Sequence, residues 1–149
     1  MAAKQQRPPR QDMPTRSAEE RRSCFDEVAL GYALEIAQLE ATRCLQCKKP
    51  ACVDGCPVQV RIPEFILALR EGDMWGAVEA LKDKNSLPAI CGRVCPQETQ
   101  CEIACILSRR GEPVAIGRLE RFVADWEREQ GMRAPELASS TGKRVCIVG

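Results

Sequence analysis

Two cysteine-rich stretches dominate the sequence: CLQCKKPACVDGCP at residues 44–57 and CGRVCPQETQCEIAC at residues 91–105. Eight of the ten cysteines in the chain lie in these two groups, and the chain contains no histidine. Histidine-dependent nucleophilic catalysis and histidine-ligated metal sites are therefore excluded from within the chain. Sulfur is the reactive element that remains, and the middle of the 149-residue chain is built around it.

The spacing within the two groups favours iron–sulfur clusters. The first group has the form C-x2-C-x4-C-x3-C-P and the second the form C-x3-C-P-x4-C-x3-C. Closely spaced cysteines ending in Cys-Pro are how bacterial ferredoxins hold [4Fe-4S] clusters, and there the last cysteine of a run binds the neighbouring cluster. Structural zinc is the main alternative, but zinc modules pair two C-x2-C knuckles, and only Cys44 and Cys47 have that spacing.

Charge and hydropathy exclude several classes of partner. The formal net charge is +1, so there is no overall basic field to attract nucleic acid or an anionic membrane. No apolar run approaches the roughly 18 residues of a membrane span, and the N-terminus lacks the apolar segment of a secretory signal. We expect a cytoplasmic protein whose thiols stay reduced, which disfavours disulfides and leaves metal binding or redox chemistry.

The pattern of apolar residues predicts an all-α fold. Apolar side chains recur at intervals of three and four residues, which is the period of one face of a helix. Pro63 stands at an expected first helical position, and Gly72 separates two short helices that form a hairpin between the cysteine groups. The expected helices cover residues 33–43, 63–71, 75–81, 97–107 and 116–130.

The two ends of the chain differ from this helical region at residues 23–130. Residues 1–22 are rich in basic side chains and proline but poor in large apolar side chains, and we expect a flexible arm. Residues 131–142 are mostly small and polar, as in a linker. Residues 143–149 read KRVCIVG, a β-branched run typical of a strand, which predicts the truncated start of a further domain.

The cysteine-rich region resembles a known family through five short segments: CLQC at 44–47, CPV at 56–58, IP at 62–63, LP at 87–88 and CGRVCP at 91–96. Together they are similar to the N-terminal iron–sulfur domain of the small subunit of NADPH-dependent glutamate synthase. The same module occurs in dihydropyrimidine dehydrogenase and in the electron-bifurcating NADH-dependent ferredoxin:NADP oxidoreductase. The resemblance implies an α-helical ferredoxin-like domain that binds two [4Fe-4S] clusters ahead of a flavoprotein with FAD and NADPH.

The resemblance also implies which side chains bind iron. One cluster is expected to have four cysteine ligands, and the other to combine three cysteines with Glu120, which matches the glutamate ligand of glutamate synthase. The alternative for Glu120 is a solvated carboxylate on a helix. Cys91 matches a position that is not a ligand, and Arg93 is a candidate cation beside a cluster. The implied sets are Cys44, Cys47, Cys52 and Cys105 for the first cluster, and Cys56, Cys95, Cys101 and Glu120 for the second.

The function that the resemblance implies is electron transfer within an oxidoreductase. NADPH is expected to reduce FAD, and single electrons to pass through the two clusters to a partner flavin. Gly149 would open the FAD-binding turn of the flavoprotein domain on the same parent chain, so this fragment alone is not expected to be catalytic. The expected acceptor is the glutamate synthase large subunit or another flavin or iron–sulfur protein. A zinc-stabilised interaction module and the bifurcating oxidoreductase remain as alternatives.

Overall fold

The computed structural model describes residues 7–134 and 137–148. Over these residues the chain forms helices and turns and no β-sheet, as the apolar pattern predicts. Two 3-10 turns, at Gln97–Thr99 and Ile106–Arg109, lie on either side of the seventh helix. The helices are α1 (Ala18–Ser23), α2 (Leu34–Ala41), α3 (Ala51–Asp54), α4 (Ile62–Glu71), α5 (Met74–Lys82), α6 (Pro88–Val94), α7 (Cys101–Ala104) and α8 (Ile116–Gln130).

Helices α4, α5 and α8 form the centre of the apolar core. The first two make the expected hairpin, and α8 packs against both. Phe65 and Leu69 of α4 are fully buried, as are Leu119 and Val123 of α8. The apolar stripe that predicts α8 from the sequence is therefore the face that packs inward, and α8 has the bounds expected from that stripe.

One predicted helix is interrupted. The sequence predicts a continuous helix over residues 97–107, whereas the structure leaves the helical conformation at Gln100 and again at Cys105. Cys105 has an extended backbone with ψ of 132°. Two residues four apart in a continuous helix lie on the same face, so this break separates the directions of Cys101 and Cys105.

Helix α6, which the apolar pattern does not predict, packs closely against α8. Gly92 of α6 faces the α8 backbone, and a β-carbon at this position would lie 2.6 Å from the backbone nitrogen of Arg121 and 2.8 Å from its Cα. Only glycine permits such a close approach of the two helices. Because Cys95 follows directly after α6, this contact also brings its thiol toward α8.

Replacing Gly92 with alanine should destabilise the fold by about 1–3 kcal/mol, the usual cost of forcing a methyl group into a packed contact. The added β-carbon would meet backbone atoms of α8, which cannot move aside as the end of a flexible side chain can. Thermal unfolding measures the loss. Ile90→Ala on the exposed face of the same helix is the matched control and should change stability by less than about 0.5 kcal/mol. Equal losses in the two variants would contradict a tight contact between α6 and α8.

The N-terminal segment differs from the flexible arm that its composition predicts. Nη2 of Arg10 donates to Oε2 of Glu102 at 2.7 Å, and the backbone N–H of Gln11 donates to Oε2 of Glu40 at 2.8 Å. Glu40 and Glu102 are both buried. Burying a carboxylate without hydrogen-bond partners is costly, and Arg10 and Gln11 hold the N-terminal segment against the helices because they supply those partners. Residues 1–6 lie outside the described residues.

The C-terminal residues contribute little to the fold. Arg133, shortly after α8, places its guanidinium 3.5 Å above the ring of Trp75. Residues 137–148 are exposed, and the predicted strand is not formed over 143–148, where no described strand lies beside it to pair with. Gly149 lies outside the described residues. Within the described ranges, no helix has the length and apolar composition needed to cross a membrane.

Candidate metal centres

Four of the predicted ligands surround one cavity. The cavity has a volume of about 110 Å³ and lies beside the loop that joins α2 to α4. Apolar side chains and Lys49 make up the rest of its wall. The thiols that line it belong to Cys44, Cys47, Cys52 and Cys105, which are the four side chains of the first implied set.

Short local structures bring these four thiols together. Cys44 lies three residues after α2, Cys52 lies in α3, and Cys105 follows α7. Between the first two cysteines, Gln46 adopts a left-handed conformation with φ of 50°. Its side-chain amide donates to the carbonyl oxygen of Pro63 at 3.0 Å, which anchors the loop to α4. The cavity is thus closed by segments more than 50 residues apart in sequence.

Burial raises the pKa of two of these thiols, Cys44 and Cys52. Burial, and after it the negative charge of the nearby Cys105 and Cys44 thiolates, raises the pKa of Cys52 to about 12. Burial also raises the pKa of Cys44, and the charges of Cys105 and Cys47 act in the same direction. Because the thiolate is the form that binds metal, occupation of this site must release protons.

The remaining predicted ligands form a second group. Burial first, and then neighbouring negative charges that include Glu120 and Cys56, raises the pKa of Cys95 to about 11. Burial first, and then neighbouring charges that again include Cys56 and Glu120, raises the pKa of Cys101 to about 12. Cys56, Cys95, Cys101 and Glu120 are therefore near enough for their charges to influence one another.

Glu120 is buried rather than solvated. The residue is 8% exposed, in the middle of α8, and its Oε1 accepts a hydrogen bond from Nδ2 of Asn85 at 2.7 Å. Burial raises the pKa of Glu120 to about 7, and the hydrogen bond from Asn85 acts in the opposite direction. The interpretation of Glu120 as an ordinary solvated helix carboxylate is therefore wrong.

The two groups lie side by side across the contact between α3 and α7. Cys52 in α3 belongs to the first group and Cys56 just after α3 belongs to the second. Cys101 at the start of α7 belongs to the second group and Cys105 at its end belongs to the first. The two short helices are in direct contact. A β-carbon at Gly55 would lie 2.8 Å from the backbone oxygen of Gln100, the residue just before α7.

Cys91 and Arg93 have other partners. The Cys91 sulfur lies 3.6 Å from Oδ1 of Asn85. The Arg93 guanidinium forms ion pairs with Asp125 at 2.7 Å and with Glu27 at 2.8 Å. These contacts tie α6 to α8 and to the segment before α2, so they assign Arg93 a role in packing and do not support the expected role as a cation beside a cluster.

Sequence reasoning missed the buried polar residues that support the two groups. Glu40 and Glu102 are buried acids that hold the N-terminal segment, and Asn85 holds Glu120. Glu40 and Asn85 lie outside the cysteine motifs, and Glu102 occupies one of the unspecified positions between Cys101 and Cys105. For Asn85, the sequence offered only a polar residue shortly before Leu87-Pro88. Such a residue is common in turns and does not by itself indicate a buried hydrogen bond.

The donor set fits an iron–sulfur cluster better than a zinc ion. A tetrahedral zinc ion needs thiolates about 3.8 Å apart, because each Zn–S bond is about 2.3 Å long. The first four thiols instead surround a cavity of about 110 Å³, which suits a larger group. Thiolates, joined at one site by a carboxylate, are ligands suited to iron in clusters.

Comparison with known proteins indicates the same kind of metal group. Residues 21–132 match the family model described as dihydropyrimidine dehydrogenase domain II, 4Fe-4S cluster. The chain is 40% identical over 134 residues to the putative oxidoreductase AegA of Escherichia coli (strain K12), covering 88% of this chain and 20% of AegA. It is 37% identical over 142 residues to the glutamate synthase [NADPH] small chain of the same organism, covering 94% of this chain and 30% of the relative.

A third relative is the NAD-dependent dihydropyrimidine dehydrogenase subunit PreT of Escherichia coli (strain K12), which is 36% identical over 125 residues, covering 84% of this chain and 30% of PreT. The chain therefore spans between 20% and 30% of the length of these relatives. The matches confirm the resemblance that the cysteine segments indicate. The chain belongs to the family of 4Fe-4S domains that includes domain II of dihydropyrimidine dehydrogenase.

Proposed function

We propose that the chain is an electron-transfer domain that holds two [4Fe-4S] clusters. The convergence of four thiols on one cavity, beside a second group of three thiols and a buried carboxylate, is the observation that carries this proposal. A [4Fe-4S] cluster accepts and releases one electron at a time. The first cluster is assigned to Cys44, Cys47, Cys52 and Cys105, and the second to Cys56, Cys95, Cys101 and Glu120.

The role of the protein is to hold two such groups side by side and to shield them from water. Apolar side chains wall the first cavity, and Lys49 adds a positive charge that offsets the charge of four thiolates. Glu120 gives the second site an oxygen donor that the first site lacks. Ligand type and surroundings set the reduction potential, so the two sites differ in potential.

We further propose that the domain serves a longer oxidoreductase with FAD and NADPH. The names of two relatives, a glutamate synthase [NADPH] small chain and a putative oxidoreductase, support this proposal. The partner is then the flavoprotein domain of the same parent chain, with Gly149 opening its FAD-binding turn. The acceptor is the glutamate synthase large subunit or another flavin or iron–sulfur protein, and the setting is the cytoplasm. The isolated domain carries electrons but does not itself turn over substrate.

Separate substitutions of Cys101 and Cys105, which lie four residues apart, provide the sharpest test of the two-cluster assignment. Cys105→Ala removes a ligand of the first cluster, and Cys101→Ala removes a ligand of the second. After anaerobic reconstitution with iron and sulfide, each variant should keep about four of about eight irons per chain. Electron paramagnetic resonance of the reduced chains should show that the two variants lose different signals.

Each variant is the matched control for the other, because both replace a buried cysteine at an end of α7. Loss of the same signal in both variants would disprove the proposed division of ligands. A colourless wild-type chain that binds about two zinc ions and no iron would instead establish the zinc-stabilised module.

A further inference from the structure

Asn85 ties together three helices at the second metal site. The residue is buried in the loop between α5 and α6. Its backbone N–H donates to the carbonyl oxygen of Leu81 in α5 at 3.1 Å. Its side-chain Oδ1 accepts from the backbone N–H of Leu87 at 2.9 Å, and its Nδ2 donates to Oε1 of Glu120 at 2.7 Å. The end of α5, the start of α6 and the middle of α8 therefore meet at one residue, whose side chain joins the last two.

These contacts determine which way the Asn85 amide points. A side-chain amide has an acceptor oxygen on one side and a donor nitrogen on the other. The N–H of Leu87 requires the oxygen on its side, which leaves the nitrogen facing Glu120. If the amide were reversed, its NH2 group would face the N–H of Leu87, and its oxygen would face the carboxylate oxygen of Glu120. Burying polar groups that are left unpaired in this way is costly, so the donor to Glu120 is fixed.

The fixed donor distinguishes the two oxygens of the Glu120 carboxylate. Oε1 is occupied by the hydrogen bond from Asn85, whereas Oε2 takes part in no hydrogen bond among the described residues. A buried carboxylate held at one oxygen has lost most of its rotational freedom before any metal binds. The other oxygen is the one left to act as a ligand.

We propose that Asn85 is the positioning residue of the second cluster: by holding Oε1 of Glu120 it presents Oε2 to the iron. The inference rests on the proposed function, in which Glu120 is a ligand. Asn85 itself contacts no iron in this assignment and acts only through Glu120. Removing its donor should therefore affect the second cluster and spare the first, which lies on the other side of the α3–α7 contact.

The test is Asn85→Asp in the chain reconstituted anaerobically with iron and sulfide. Aspartate keeps an oxygen for the N–H of Leu87 but replaces the donor to Glu120 with a second negative oxygen. The second cluster should be lost or its resonance signal shifted, with iron falling from about eight toward about four per chain, while the first cluster stays as an internal control. Asn85→Ala, which removes both hydrogen bonds, should show the same selective loss with a lower melting temperature.

Exchanging donor and acceptor provides a rescue. In Glu120→Gln alone, Asn85 still donates to the side-chain oxygen and an NH2 group replaces the oxygen that faces the iron, so less of the second cluster should be retained than in the wild type. In the double variant Asn85→Asp with Glu120→Gln, the glutamine NH2 donates to the aspartate and its oxygen faces the iron. The double variant should therefore retain more of the second cluster than either single variant, a coupling that independent effects would not produce.

Glu120→Ala separates failure of this inference from failure of the ligand assignment. If Glu120→Ala abolishes the second signal and Asn85→Asp leaves it unchanged, the positioning role is overturned and the ligand assignment stands. If Glu120→Ala leaves both signals unchanged, the ligand assignment falls and the inference falls with it. Loss of both clusters together in Asn85→Asp, without recovery in the double variant, would show that the amide serves only the fold and would overturn the inference.

Discussion

Removing iron from the reconstituted chain should release the cysteine-bearing loops while leaving the helical core folded. None of the residues at 44–59 or at 89–100 is buried, and these two segments carry five of the eight proposed ligands. By contrast, Phe65 of α4, Leu81 of α5 and Leu119 of α8 are fully buried. The loops therefore lack an apolar core of their own, and their order depends on the metal to which their thiols bind.

Hydrogen–deuterium exchange before and after iron chelation measures this effect. Amide exchange at 44–59 and 89–100 should rise by at least about a hundredfold, which corresponds to about 2.7 kcal/mol of lost local stability. Exchange in α4, α5 and α8 serves as the control within the same molecule and should change much less. A uniform rise across the chain would show that the whole fold depends on the metal. No rise anywhere would contradict a structural role for the clusters.

The second large effect is expected at Glu40, the most completely buried acid among the residues that the structure describes. The residue is 0% exposed. Its Oε1 accepts from Nη1 of Arg43 at 2.7 Å and from the backbone N–H of Ala115 at 2.8 Å, and its Oε2 accepts from the backbone N–H of Gln11. One carboxylate thus joins α2 to the N-terminal segment and to the start of α8.

Glu40→Ala should lower the free energy of unfolding by about 3–5 kcal/mol. The change removes one member of a buried ion pair, leaving the Arg43 charge without its carboxylate and two backbone donors without an acceptor. Chemical denaturation of the reconstituted chain provides the measurement. Glu35→Ala, the same substitution at an exposed position of the same helix, is the control and should change stability by less than about 0.5 kcal/mol. A decrease in the free energy of unfolding of less than about 1 kcal/mol for Glu40→Ala would contradict the role of Glu40 in joining these segments.

Local sequence patterns predict the helical part of this fold well. The apolar stripe of α8 predicts its bounds, and proline and glycine positions predict the α4–α5 hairpin. The pattern fails at α6, whose apolar face is interrupted by Gly92, and over residues 97–107, where a helical spacing conceals a break at Cys105. In both places, contacts with a segment distant in the sequence determine the backbone conformation, and the local spacing of apolar residues does not.

The cysteine spacing predicts iron–sulfur chemistry for the same local reason, since closely spaced thiols followed by Cys-Pro lie near one another in any compact conformation. Spacing alone leaves open how the thiols divide. The resemblance to the family implies the division, and the structure shows Cys105 returning to the loop of Cys44 and Cys52. Whether each group binds iron is what the paired cysteine variants test.

Helical periodicity and cysteine spacing are properties of neighbouring residues, so they predict the class of fold and the kind of metal chemistry before the packing is known. The packing is needed to learn which acids are buried and what holds them: Glu40 by Gln11 and Arg43, and Glu120 by Asn85. Burial and hydrogen bonding between segments far apart in sequence depend on how the helices lie against one another. A polar residue in a loop or on a helix looks the same in the sequence whether water or another helix lies beside it.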